Sequence, residues 1–251
     1  MSAYSAAEPA SLAPFIQHTA IEIGLTREDL VRHCEESVQY GFNAAMVPAS
    51  WVPLVAERLR GSGVKVASAL DFPTVGSMTT AGKAAEARAI AEAGADQLDM
   101  GVQVGWLRSG MEQEFRDDIA AVVEAAGIPV KVMLELPKFT PAERERAVQL
   151  AMDAGAAYLK NASSGAVEIA NPDSIAYLAE RVRPGVQVKA SGGIKTAEQA
   201  VALLDAGASL LGTSAGIAIV TGDAQRRRDQ GPVRGRTLVR GNEGPCLCGV
   251  P

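Results

Sequence analysis

The sequence predicts an α/β protein built as a single (β/α)8 TIM barrel, and three observations carry that prediction. Three segments repeat one pattern: Glu92-Ala-Gly-Ala-Asp-Gln-Leu-Asp99, Asp153-Ala-Gly-Ala-Ala-Tyr-Leu-Lys160 and Asp205-Ala-Gly-Ala-Ser-Leu-Leu-Gly212. Each follows an Ala-rich, helix-periodic stretch and opens a short apolar run. That reads as a helix closed by a glycine with φ > 0, leading directly into a buried strand. Second, eight apolar runs of strand length alternate with helical stretches across about 220 residues, as parallel β/α units require. Third, the helical stretches begin with proper caps.

In chain order, strands are expected at 15–19, 44–47, 65–70, 97–100, 130–134, 158–160, 186–189 and 209–212. Tyr40-Gly41-Phe42-Asn43 is a weaker fourth copy of the repeat and opens the second strand. Helices are expected at 27–39, 80–93, 113–126, 141–154, 172–183 and 197–206. Thr26-Arg-Glu-Asp29, Thr140-Pro-Ala-Glu143 and Thr196-Ala-Glu198 each place a capping hydroxyl before acids of the first turn. A doubly wound open sheet is the competing architecture, but its glycine-rich dinucleotide loop is missing after the early strands. The expected division is an N-terminal extension over 1–14, the barrel over 15–222 and a basic tail over 223–251.

Composition excludes several function classes. The chain has 251 residues, 47% hydrophobic and 21% charged, which permits a large core and rules out global disorder. No apolar run approaches the roughly 20 residues of a membrane span, and the start of the chain lacks the basic and apolar regions of a signal peptide. Three cysteines, two of them in the last six residues, form no disulfide framework. A soluble cytoplasmic protein without membrane partners is expected. The net charge of −5 divides into +3 from Asp223 onward and −8 for the rest. An acidic body does not suit nucleic-acid binding, and Arg226-Arg227-Arg228 with the scattered arginines after it reads as a solvated tail.

The repeat also puts chemistry in register. Asp99 and Lys160 each lie five residues after their repeat glycine, and Lys189 closes the neighbouring expected strand. Charges that finish apolar strands cost burial energy, and the C-terminal rim is where barrel active sites are assembled. One such residue is readily a strand cap; three at one rim point to function. Two lysines facing one pocket disfavour each other's charge, so one becomes a free amine able to attack a carbonyl, with Asp99 to shuttle protons. Ser191-Gly192-Gly193-Ile194-Lys195-Thr196 and Gly212-Thr213-Ser214-Ala215-Gly216 follow strands seven and eight and run into helices. Small residues there let backbone N–H groups approach an anion, and phosphate sites of this fold lie in these loops.

These residues also resemble a known family. Tyr158-Leu-Lys160, Val188-Lys189-Ala-Ser-Gly-Gly-Ile-Lys-Thr196 and Gly212-Thr-Ser-Ala-Gly-Ile-Ala-Ile-Val220 are similar to 2-deoxyribose-5-phosphate aldolase. So are Leu98-Asp99-Met100, Leu107-Arg-Ser-Gly110, Val130-Lys-Val-Met-Leu-Glu135 and Ile16-Gln-His-Thr19, over about 15–222. The resemblance implies a class I, cofactor-free and metal-free aldolase acting on a phosphorylated aldehyde or sugar, with a homodimer as a candidate assembly. It implies Lys160 as the Schiff-base lysine, Lys189 as the lysine that depresses its pKa and Asp99 as the proton-transfer group. Gly192, Gly193, Ser214, Ser164, Gln17 and Thr19 would border substrate and phosphate.

The chain departs from the family pattern at several places. Gln17 replaces a first-strand aspartate, Asn161-Ala162-Ser163-Ser164 replaces Thr-Ser-Thr-Gly, Met46 stands where cysteine is common and Asp71 where glycine is usual. The C-terminal tyrosine that some members bring to the site is absent. These changes suggest an altered substrate-facing wall, and with it the alternative of another phosphorylated carbonyl substrate; a non-catalytic phosphosugar-binding barrel is a third reading. Weaker signals remain. His18 and His33 are the only histidines and show no ligand-spaced partners, so no metal site is expected. Asn161-Ala-Ser163 matches a glycosylation acceptor without meaning in the cytoplasm, Cys246 and Cys248 read as incidental tail sequence, and Trp106 is a candidate for the pocket mouth.

Overall fold

A computed structural model describes residues 4–223. Eight parallel strands close into a barrel in sequence order: β1 (Ile16–Thr19), β2 (Ala44–Met46), β3 (Lys65–Leu70), β4 (Gln97–Gly101), β5 (Val130–Met133), β6 (Tyr158–Lys160), β7 (Gln187–Ser191) and β8 (Leu210–Thr213). Closure is made by β8 against β1, with Ile16 beside Leu211 and His18 beside Thr213. Around it run α1 (Arg27–Tyr40), α2 (Val52–Leu59), α3 (Thr80–Glu92), α4 (Val104–Arg108), α5 (Glu112–Ala126), α6 (Pro141–Asp153), α7 (Pro172–Ala179), α8 (Ala197–Asp205) and α9 (Gly216–Thr221). Among the described residues, no helix is long and apolar enough to cross a membrane.

The local signals act as their chemistry dictates. Thr26, Thr140 and Thr196 each cap a helix, and Asp29, Glu143 and Gln199 reach back to complete reciprocal capping boxes. The repeat glycines Gly94, Gly155 and Gly207 all have positive φ, at 106°, 89° and 106°. Close packing adds a second reason for glycine, since a Cβ on Gly207 would stand 2.5 Å from that of Ala179. The α2 segment carries Pro53, a residue that reads as a breaker but is tolerated in the first turn, where its missing N–H has no partner to lose.

Two boundaries differ from the sequence expectation. Residues 9–15, mostly assigned to the extension, form a 3-10 helix packed on α9, with Leu12 fully buried and Ala13 nearly so. That segment precedes β1 and packs against α8 and α9. Within the expected tail, 224–251 lies outside the described residues, as do Cys246 and Cys248. The strand ends also shift. β4 and β7 run to Gly101 and Ser191, so Asp99 and Lys189 sit at the third residue of five rather than finishing their strands. Lys160 does close β6.

Candidate active site

At the C-terminal end of the barrel lies a cavity of about 480 Å³. Asp99, Lys160 and Lys189 all line it, and they form one connected cluster. Lys160 Nζ donates to Asp99 Oδ2 at 2.9 Å and Lys189 Nζ donates to the same oxygen at 2.7 Å. Lys160 and Lys189 are also register neighbours on β6 and β7. The third copy of the repeat explains how they fit. Its equivalent position is Gly212, where a Cβ would come within 3.0 Å of Lys189 Cε; the glycine leaves the lysine its space.

A third lysine belongs to the cluster. Lys131 Nζ lies 3.2 Å from Asp99 Oδ1, at ion-pair distance but without an aligned hydrogen bond. Lys131 is fully buried and lies 5.7 Å from the Tyr158 ring centroid. A search for charges that finish strands passes over it, because it is the second residue of β5; the broader signal, a lone charge in an apolar run, would have found it.

Three ammonium groups against one buried carboxylate would leave an excess of two positive charges, which costs several kcal/mol per unpaired ion in such surroundings. The cluster relieves this by shedding protons. Burial holds the Lys189 pKa well below the ordinary lysine value, with Lys160 and Lys131 adding to the fall and Asp99 opposing it. Burial likewise lowers Lys131. Burial alone would raise Asp99, but Lys189, Lys160 and Lys131 overcome it and hold the carboxyl well below its usual range. The result is a fixed carboxylate flanked by amines that burial biases toward the neutral form.

The loops that follow the lysine-bearing strands also border the cavity, with Ser163 and Ser164 after β6, Gly192, Gly193 and Lys195 after β7, and Ser214 and Ala215 after β8. Gly192 has no alternative: its φ is 116°, and a Cβ would meet Glu168 O at 2.2 Å. Ile21, Met46, Phe72 and Met133 supply an apolar wall, and Thr19 also lines the space. Trp106 lies on α4 and does not line the cavity.

The chain is 42% identical to deoxyribose-phosphate aldolase of Brevibacillus brevis (strain 47 / JCM 6285 / NBRC 100599) over 209 residues, covering 83% of this chain and 94% of that one. It is 39% identical to the enzyme of the same name from Geobacillus sp. (strain WCH70) over 214 residues, covering 84% and 96%. The chain belongs to the deoxyribose-phosphate aldolase family. No family model matches it. Among solved structures, deoxyribose phosphate aldolase from Aeropyrum pernix, described as a unique tetramer, superposes with a TM-score of 0.79 at 29% identity, covering 88% of this chain and 94% of that one.

Against the deoxyribose-phosphate aldolase pattern, the departures take on different meanings. Gln17, expected to border the substrate, lies beneath the cavity with no exposed surface and does not line it. Its Oε1 accepts from Lys189 Nζ at 2.6 Å, while its Nε2 donates to Gln97 Oε1 at 2.6 Å. Being the second residue of β1, it points into the barrel interior one layer below the opening. Asn161 is also no wall residue. It is fully buried, donating to Glu168 and Ser191 O and accepting from Ser191 N, so it ties β6 to β7 and is closed to glycosylation. Ala162 is buried away from the cavity. Of the altered positions, Met46, Ser163 and Ser164 line the cavity, whereas Gln17, Asn161, Ala162 and Asp71 do not, so about half of the departures reach the substrate-facing wall.

Asp71 shows why glycine is usual at its position, since its φ is 52° in the left-handed region. Its carboxylate offsets the strain by accepting from the backbone N–H of Gly76, Ser77 and Met78 at 2.7–3.1 Å. It also pairs at 3.1 Å with Lys83, a fully buried lysine that binds Asp118 as well. This knot holds the β3–α3 loop, whose Phe72 lines the cavity.

Proposed function

We propose that this chain is a class I aldolase that forms a Schiff base on Lys160, cleaving 2-deoxyribose 5-phosphate to acetaldehyde and glyceraldehyde 3-phosphate or running the reverse addition. The observation that carries the reading is a single buried carboxylate, Asp99, whose Oδ2 binds both Lys160 and Lys189 where all three line one cavity. Family membership supports the reaction class, and the names of the relatives support the substrate.

The chemistry follows from the contacts. Asp99 Oδ2 bridges Lys160 and Lys189, giving a proton route between the two amines, and burial lowers the Lys189 pKa so that it gives up its own proton more readily than an ordinary lysine. The freed Lys160 nitrogen attacks the aldehyde carbon of the open-chain sugar. A C–N bond forms, the carbonyl oxygen takes a proton, and loss of water leaves the iminium. A base then removes the proton of the C3 hydroxyl. The C2–C3 bond breaks, its electron pair makes the enamine, and glyceraldehyde 3-phosphate departs. Protonation of the enamine at C2 and hydrolysis release acetaldehyde and restore the amine. Asp99 and Lys189 are the proton-moving groups nearest the nitrogen. The Gly192–Gly193 and Ser214 loops, with Lys195 beside them, suit the phosphate at the far end.

Borohydride reduction in the presence of acetaldehyde, followed by peptide mass spectrometry, tests the nucleophile. The expected label is on Lys160; a label on Lys131 or Lys189, or none, overturns the assignment. A panel of phosphorylated aldehydes and ketones tests the substrate, with 2-deoxyribose 5-phosphate expected to be cleaved fastest.

A further inference from the structure

Behind the wall that carries Thr19 and Ser214, a second cleft of about 240 Å³ opens between β1 and α1. Its lining includes His18, His33, Glu36, Glu22, Asp29 and Arg32. The two histidines lie 15 residues apart in sequence and give no ligand spacing there, yet the fold stacks their rings with centroids 4.4 Å apart. His33 and Glu36 are one turn apart on α1, so they share a face; His18 reaches them from β1.

We propose that His18, His33 and Glu36 form a binding site for a divalent transition-metal ion of the zinc type, separate from the lysine cluster. One donor atom from each residue lies within 4.8 Å of the others. Around a tetrahedral ion with bonds of about 2.0–2.2 Å, donors stand roughly 3.3–3.5 Å apart. The pair His18 Nε2 and Glu36 Oε2 is already at 3.5 Å, and because the two imidazoles are stacked at 21°, the cage closes by a rotation of the His33 ring that turns its free nitrogen toward that pair.

The protonation pattern suits a cation. His33 Nε2 lies 3.2 Å from the His18 carbonyl oxygen, which only accepts. That bond places the proton on Nε2 and leaves the Nδ1 lone pair for the ion, and a backbone carbonyl is a usual partner for the second nitrogen of a ligating imidazole. Nδ1 of His18 faces Gly216, where a Cβ would stand 2.8 Å away, so Nε2 is its ligating atom. Glu22, Asp29 and Glu36 outnumber Arg32 around the cleft, which favours a cation electrostatically. Two nitrogens and one carboxylate suit zinc, cobalt or nickel rather than magnesium. An ion here would clamp β1, which carries Gln17 and Thr19, to α1.

The test is zinc titration of the full chain carrying Cys246→Ser and Cys248→Ser, which removes the tail thiols. Calorimetry is expected to give one ion per chain. The thermal midpoint should rise by about 5–10 °C at a hundredfold excess over the dissociation constant. His33→Leu and Glu36→Gln should each weaken binding at least about tenfold, as expected when one ligand of a metal site is lost. Glu36 is only half-buried, so its variant serves if the leucine disturbs folding. Unchanged zinc affinity in both variants, no midpoint shift in the parent, or an equal response to magnesium would each overturn the site. Imine trapping with acetaldehyde should be insensitive to saturating zinc; its loss would place the ion on the lysines instead.

Discussion

Lys160→Ala is expected to abolish imine trapping and to reduce turnover by roughly 10^4–10^6-fold, because no neighbouring group replaces a covalent nucleophile. Trapping at wild-type level in that variant would refute the assignment. Lys189→Leu separates proton transfer from packing. Lys189 shares Asp99 Oδ2 with Lys160 and its pKa is lowered by burial, so it is placed to exchange a proton with Lys160, and its removal should depress trapping strongly near pH 7. Recovery is expected near pH 10, where solvent removes the proton instead. Equal loss at both pH values would make the lysine structural. Gln17→Asp adds a negative charge against Lys189 Nζ, which stabilises the ammonium and raises its pKa. The acid limb of the pH–rate profile should therefore move to higher pH, and an unmoved limb would show that Gln17 is not coupled to proton transfer. Gln17 and Thr19 share one face of β1, but Gln17 lies one layer deeper, so only Thr19 lines the cavity and Gln17 acts on Lys189.

At the scale of single elements, caps and repeat glycines behave as isolated sequence signals because their chemistry is local. The β3–α3 loop does not. Asp71 occupies a left-handed backbone position, which glycine would adopt without strain, yet three backbone N–H groups and Lys83 depend on its carboxylate. Asp71→Gly relieves about 1 kcal/mol of backbone strain but removes several charge-assisted hydrogen bonds, each worth about 1.5–3 kcal/mol. A net loss of about 2 kcal/mol is expected by chemical denaturation, limited because Lys83 keeps Asp118. A gain in stability would show that the strain outweighs the knot. Since Phe72 follows directly and lines the cavity, KM should rise more than kcat falls.

For the molecule as a whole, the two ends of the barrel carry separate duties. Leu12, with no exposed surface, sits in the segment that precedes β1 and packs on α9, away from the C-terminal cavity. Leu12→Ala should cost about 3 kcal/mol and lower the thermal midpoint by roughly 6–12 °C. Its kcat/KM at 25 °C should stay within about twofold of the parent, because Leu12 lies away from the residues that line the cavity. A large fall in kcat/KM at that temperature would mean that the two ends are coupled.

The barrel, its parallel order and the Asp99–Lys160–Lys189 set were legible in the chain because each rests on a short-range regularity. Helix caps, a glycine closing each helix and a fixed five-residue step from that glycine all repeat within one β/α unit. Burial depth and cross-barrel partners are not short-range properties. Lys131 joins Asp99 through the β4–β5 register, Gln17 meets Lys189 from 172 positions away, and Asn161 turns to Ser191 rather than to the cavity. His18 and His33 likewise meet only because β1 and α1 pack together. Which way a side chain points depends on strand tilt and barrel closure, and those arise only when all eight strands are in place.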